Sequence, residues 1–190
     1  MYLNNDIYEF IKGEIAYLYS KYDLTTIPIN GFELARKMNI KLIPYNSLNK
    51  EEYEKFIEAD RDSLYMEYGN IECIAYNDEI QESRLNMSIL HEIGHCVLDH
   101  STDKNYKRRE SEAKFFAKYA IAPLPLVHQF QPTCLEDIEN IFHTSSEASM
   151  YIFNNYKKWL SYSQEYKDYE IEILNQFGYY TPIQKSINKL

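Results

Sequence analysis

The run His91-Glu92-Ile93-Gly94-His95 constrains this chain more than any other part of it. Two histidines four residues apart share a face only on an α-helix, roughly 40° apart around the axis and ~6 Å along it. Both imidazoles can then converge on one ion at the ~2.0–2.1 Å Zn–N distance. Glu92 points about 100° away. That is too far round for a third ligand of the same geometry, but within reach of a water at the ion whose proton it can take as general base. An HExxH run arises by chance in about 1% of chains of this composition. Here it sits in an apolar-periodic, proline-free stretch, with Gly94 where a bulky side chain would block the metal. The competing reading is a pair of histidines on a solvated or core face.

Zinc needs a third protein ligand. Asp99 lies eight residues from His91, ~12 Å along the same helix, so one ion cannot bind both. The longer HExxHxxGxxH pattern fails, because Leu98 occupies its glycine position and His100 falls one residue short. The ligand must come from another element. Glu110 and Glu112, opening the next helix, lead; His128 and His143 follow. Glu110 and Glu112 are separated by roughly 200° around a helix, so only one can face the metal. Two imidazoles and a carboxylate suit Zn²⁺, with Mn²⁺ the second choice.

Apolar periodicity predicts an amphipathic helix over 6–22, carrying Ile7, Ile11, Ile15, Leu18 and Tyr22 with Asp6 as its N-cap. A short helix follows Asn30, and Ile40–Tyr45 reads as a strand. The charged stretch 47–61 reads as a surface loop or helix. A hairpin is expected from Leu64–Tyr68, a Gly69-Asn70 turn and Ile71–Tyr76, the last strand offering an edge for an extended peptide. Asp78 can cap the HExxH helix, from about Glu79 to Asp99. A helix over Arg108–Ala120 ends before Pro123 and Pro125. Leu135–Phe142 and Ser146–Trp159 form a helical pair, and one more helix can lie within Tyr166–Phe177.

The net charge of −9 argues against a nucleic-acid binder, which needs a basic face to exchange for counterions. The compact basic cluster Lys104, Lys107, Arg108 and Arg109 reads as a solvated loop, and the helical pair at 135–156 exposes Glu136, Asp137, Glu139 and Glu147. Three scattered cysteines, Cys73, Cys96 and Cys134, fit reduced thiols better than a disulfide framework. Cys96 reads as a packed thiol directed away from the His91/His95 face. Short apolar runs predict neither membrane span nor secretory signal, hence a cytoplasmic protein.

HEIGHCVLDH (91–100) followed by E-S-E-A-K-F-F-A-K-Y-A-I-A-P (110–123) resembles the ImmA/IrrE-type metallopeptidases, whose pattern is HExGHxLLH and then ExEANxFAxxLLxP. Lys114 stands where that family usually has Asn; Ala113, Phe116, Ala117 and Pro123 fit. The resemblance includes Arg84–Glu92 upstream and LEDIENIFHTSSEASMYIF (135–153) downstream, and covers about residues 7–156. It implies an α+β, zincin-like domain with the HExxH helix packed on a small sheet and further helices behind. The expected division is a catalytic domain over 1–125, a helix-turn-helix-like extension over 126–160 and a tail over 161–190.

Carried over, His91 and His95 are metal ligands, Glu92 is the base and Glu110 is the third ligand. The resemblance further implies a protein substrate, a helix-turn-helix repressor whose cleavage relieves repression of stress or mobile-element genes. Two other classes compete with it. One is a regulatory protein that holds a repressor without cutting it, its zinc site vestigial or structural. The other is an antitoxin-like partner from a mobile element.

Overall fold

The computed structural model describes residues 3–59, 62–69, 71–100, 105–163 and 165–180. In chain order the elements are α1 (Asn5–Lys21), α2 (Gly31–Lys37), β1 (Lys41–Pro44), a single 3₁₀ turn (Tyr45–Ser47), α3 (Lys50–Ala59), β2 (Ser63–Tyr68), β3 (Ile71–Tyr76), α4 (Glu82–Val97), α5 (Tyr106–Ile121), α6 (Leu124–Phe130), α7 (Leu135–Phe142), α8 (Ser146–Tyr162) and α9 (Asp168–Gln176). This is the mixed α+β class that the resemblance implies, with one small sheet among many helices. No helix among the described residues is long and apolar enough to cross a membrane.

Two compact units divide the chain. The first, residues 1–4 and 30–117, contains the sheet and the HExxH helix α4. Its strands run in the order β1-β3-β2, with β1 parallel and β2 antiparallel to β3. The expectation that Ile71–Tyr76 forms an edge is therefore corrected: β3 is central, and β2 is an outer strand. Nothing in the alternation of Lys41–Pro44 told where it would pair, and its parallel pairing closes the far side of β3. Cys73, Ile74 and Ala75 are accordingly buried. Gly69, at φ 64, begins the turn between β2 and β3, with Tyr68 paired to Ile71. Asn70, the second turn residue, lies outside the described residues.

Helix α4 buries Leu85, Ile89, Leu90 and Ile93, the stripe at spacings of three and four that periodicity predicts. Its start is later than expected, with Gln81 at the N-cap position. Asp78 does not cap it, because its carboxylate accepts instead from the backbone N and the side-chain amide of Asn46. At the other end Asp99 adopts a left-handed conformation, φ 48, which short polar residues tolerate better than most. The chain turns back there, and the His100 amide donates to the His95 carbonyl at 3.1 Å.

Gly94 acts on packing. A Cβ there would meet the Cβ, Cγ and Cδ1 atoms of fully buried Phe116 at 3.1 Å, so its absence clears space for α5. Gly94→Val is expected to lower stability by about 1–3 kcal/mol through overpacking, read as a shifted midpoint in urea. A parent-like midpoint would mean that α5 yields freely and that this approach is not tight.

The second unit comprises residues 5–29 and 118–190. In it α1 buries Ile11, Ile15 and Leu18, as its periodicity predicts. Asp6 falls inside the first turn of α1 and does not cap it; there its charge favours the positive helix end. Pro123 and Pro125, read as a stop, also begin α6: Pro123 is its N-cap residue and Pro125 lies in the first turn, where a missing N–H goes unmissed. Of the 161–190 tail, 164 and 181–190 lie outside the described residues.

Candidate metal centre

Three side chains converge in the first unit. His91 Nε2 lies 3.1 Å from His95 Nε2, and the Glu110 carboxylate sits 3.5 Å from the first and 3.3 Å from the second. Helix α4 supplies the two imidazoles from successive turns, and the first turns of α5 supply the carboxylate. These donor atoms form a group able to hold a cation. Four donors arranged tetrahedrally at ~2.0–2.1 Å from a metal lie about 3.3–3.4 Å from one another. These approaches lie within about 0.3 Å of that edge, the two from Glu110 being made by different oxygens, Oε2 to His91 and Oε1 to His95. The side chains retain 15–23% exposure, enough for water or a peptide to reach them.

The electrostatics suit a cation. Burial, reinforced by the neighbouring His91, pulls the His95 imidazole down to about 4, so at neutral pH its ring is uncharged and keeps a lone pair. Glu110 is held below the usual carboxylate range, chiefly by its hydrogen bond with His91.

Glu112, the rival third ligand, is engaged elsewhere. Its Oε2 lies 2.9 Å from His100 Nε2, and its Oε1 accepts from Arg108 Nε at 2.7 Å. His100 in turn places its Nδ1 2.9 Å from Nδ1 of His95. His128 has its Nδ1 2.9 Å from the Tyr156 hydroxyl in the second unit, and His143, exposed and left-handed, ends α7. The basic cluster is not a loop over its described part: Lys107, Arg108 and Arg109 begin α5, and Arg109 Nη1 donates to the His100 carbonyl at 2.8 Å. Lys104 lies outside the described residues.

Glu92 is 6% exposed, and its partners come from β2. Its Oε2 accepts the Tyr65 backbone N–H at 2.8 Å, and its Oε1 accepts from Ser63 Oγ at 3.1 Å. Ser63 and Ser88 hydroxyls are 2.6 Å apart; since Ser63 gives its proton to Glu92, Ser88 donates to Ser63. A carboxylate oxygen can accept more than one hydrogen bond, so these contacts do not themselves bar Glu92 from taking a proton. Sequence reasoning missed Ser63 and Tyr65, since nothing local in a strand marks a partner twenty-nine or twenty-seven residues away, and with them Ser88, which acts through Ser63.

Cys96 donates to Glu72 Oε1 at 3.1 Å, and burial pushes its thiol up to about 12, so it is a packed thiol rather than a nucleophile at neutral pH. Cys73 and Cys134 are free as well.

A family model, the IrrE N-terminal-like domain of peptidase family M78, matches residues 36–151. The match spans both motif helices and extends from the end of α2 into α8. A comparison with curated proteins found no match.

Proposed function

This chain belongs to the IrrE N-terminal-like domain family, a peptidase family, and on that premise we propose that it is a zinc-dependent endopeptidase of the cytoplasm that cuts a helix-turn-helix repressor. The observation that carries the metal reading is the convergence of His91, His95 and Glu110, whose donor atoms approach one another at 3.1, 3.3 and 3.5 Å, close to the spacing of ligands around a tetrahedral zinc ion.

His91, His95 and Glu110 would hold the ion, leaving one position open, as catalytic rather than structural zinc sites do. A bound Zn²⁺ supplies a Lewis acid that acidifies water to a pKa of about 7 and polarises a carbonyl. Glu92, fixed by Tyr65 N–H and Ser63, accepts the proton of the attacking water and returns it to the leaving amine. Partial burial of these side chains strengthens each of these charge interactions relative to bulk water.

The repressor substrate is supported by the resemblance of residues 84–153 and by a net charge of −9, which suits engagement of a basic DNA-binding protein better than of DNA. The test is to incubate the purified chain with a candidate repressor, with and without a chelator. Two repressor fragments that vanish with chelator are expected. A repressor that stays whole while bound would move the chain to the holding class, and tight sequence-specific DNA binding by the chain alone would overturn the substrate assignment.

A further inference from the structure

We propose that Glu112 and His100 form a positioning relay that sets the tautomer of His95, and through it the affinity of the site for its cation. The proposal rests on the reading of His91, His95 and Glu110 as a metal site and adds two residues that stand behind it.

The geometry runs in one line. Glu112 Oε2 is 2.9 Å from His100 Nε2, His100 Nδ1 is 2.9 Å from His95 Nδ1, and His95 Nε2 faces Glu110 and His91. A carboxylate only accepts, so the proton between Glu112 and His100 sits on His100 Nε2. With its single ring proton placed there, His100 offers a lone pair at Nδ1. The single proton between the two Nδ1 atoms must come from His95. That leaves His95 Nε2 bare, on the side where a cation is wanted. Reversing any link would aim an N–H at the cation.

The relay is built into the fold. His100 is 4% and Glu112 5% exposed, so both need partners. The left-handed turn at Asp99 brings His100 back, its N–H is tied to the His95 carbonyl, and its own carbonyl takes Arg109 Nη1. Arg108 Nε occupies the remaining oxygen of Glu112. This last contact makes one substitution informative. In Glu112→Gln the single oxygen is claimed by Arg108, so the amide NH₂ faces His100 Nε2. His100 must then accept there and donate from Nδ1, His95 must accept at Nδ1, and its proton moves to Nε2.

The test uses the full chain and zinc alone, titrated against a chromophoric chelator, together with the imidazole ¹⁵N shifts of the metal-free protein. Glu112→Gln and His100→Phe are expected to bind zinc about 10–100-fold more weakly, the usual effect of losing a partner behind a ligand. His95 should change from the Nδ1–H to the Nε2–H tautomer in Glu112→Gln. His100→Gln, which presents an acceptor and a donor in the same order, should restore affinity to within about threefold. Parent-like affinity and an unchanged His95 tautomer in Glu112→Gln would overturn the relay while leaving the metal site intact. Absence of zinc binding by the parent chain would instead overturn the metal reading itself. If His100→Phe does not fold, Glu112→Gln and His100→Gln carry the test.

Discussion

Glu92→Gln is expected to cut peptide hydrolysis by roughly 10²–10⁴-fold, the contribution of a general base, while zinc affinity stays at the parent value. The substitution is clean because the surroundings can absorb it. The Gln oxygen can keep the Tyr65 N–H, now held at 2.8 Å by Glu92 Oε2. The new NH₂ then faces Ser63 Oγ, which accepts it and turns its own proton to Ser88, 2.6 Å away. The Tyr65 and Ser63 contacts both persist, so stability should barely move. Turnover of a repressor or of a generic protein substrate, measured with zinc saturating, reads the effect. Hydrolysis at the parent rate would remove Glu92 from the chemistry.

The second large effect is on the metal. Glu110→Ala takes away one of three donors. If a zinc site worth about 10–16 kcal/mol is shared equally among its protein ligands, the loss is roughly 3–5 kcal/mol, or about 10²–10⁴-fold in affinity. Hydrolysis should fall with it at any zinc concentration below the new Kd. A chelator competition checks this, and its value lies in the contrast with Glu112, whose loss acts only through His100. If the two variants ranked the other way, the ligand would be Glu112, and the carboxylate now 3.3 and 3.5 Å from the imidazoles would be a bystander.

What the sequence disclosed was what short-range periodicity encodes. Spacing four puts His91 and His95 on one helix face, and spacing two sets Glu110 and Glu112 on opposite ones, so the candidate ligand set was readable before any fold was known. The apolar stripe of α4 and the β2–β3 hairpin were readable for the same reason. What stayed hidden depended on distant partners or on side chains that could serve either of two roles. Asp78 has the right chemistry for a cap, yet Asn46 takes it. Pro123 and Pro125 end one helix and start another, since a residue without an N–H suits both places. His100 was set aside because it falls one residue short of a ligand position. The left-handed turn at Asp99 that gives it a different task leaves no mark in a pattern of helical periods.

The carboxylate of Glu92 is tied to β2 across twenty-seven residues, whereas the contacts among His91, His95 and Glu110 span four to nineteen. Closing the longer span demands only about 0.3 kcal/mol more loop entropy by the logarithmic rule, but β2 must also find its register on β3 before Tyr65 can present its amide. Local helical contacts form early, and pairings distant in sequence form late. On a folding chain the ability to capture a cation can therefore precede the ability to cut. A nascent or partly unfolded molecule would hold its metal while its base still lacked orientation, and proteolysis would begin only once the sheet had closed.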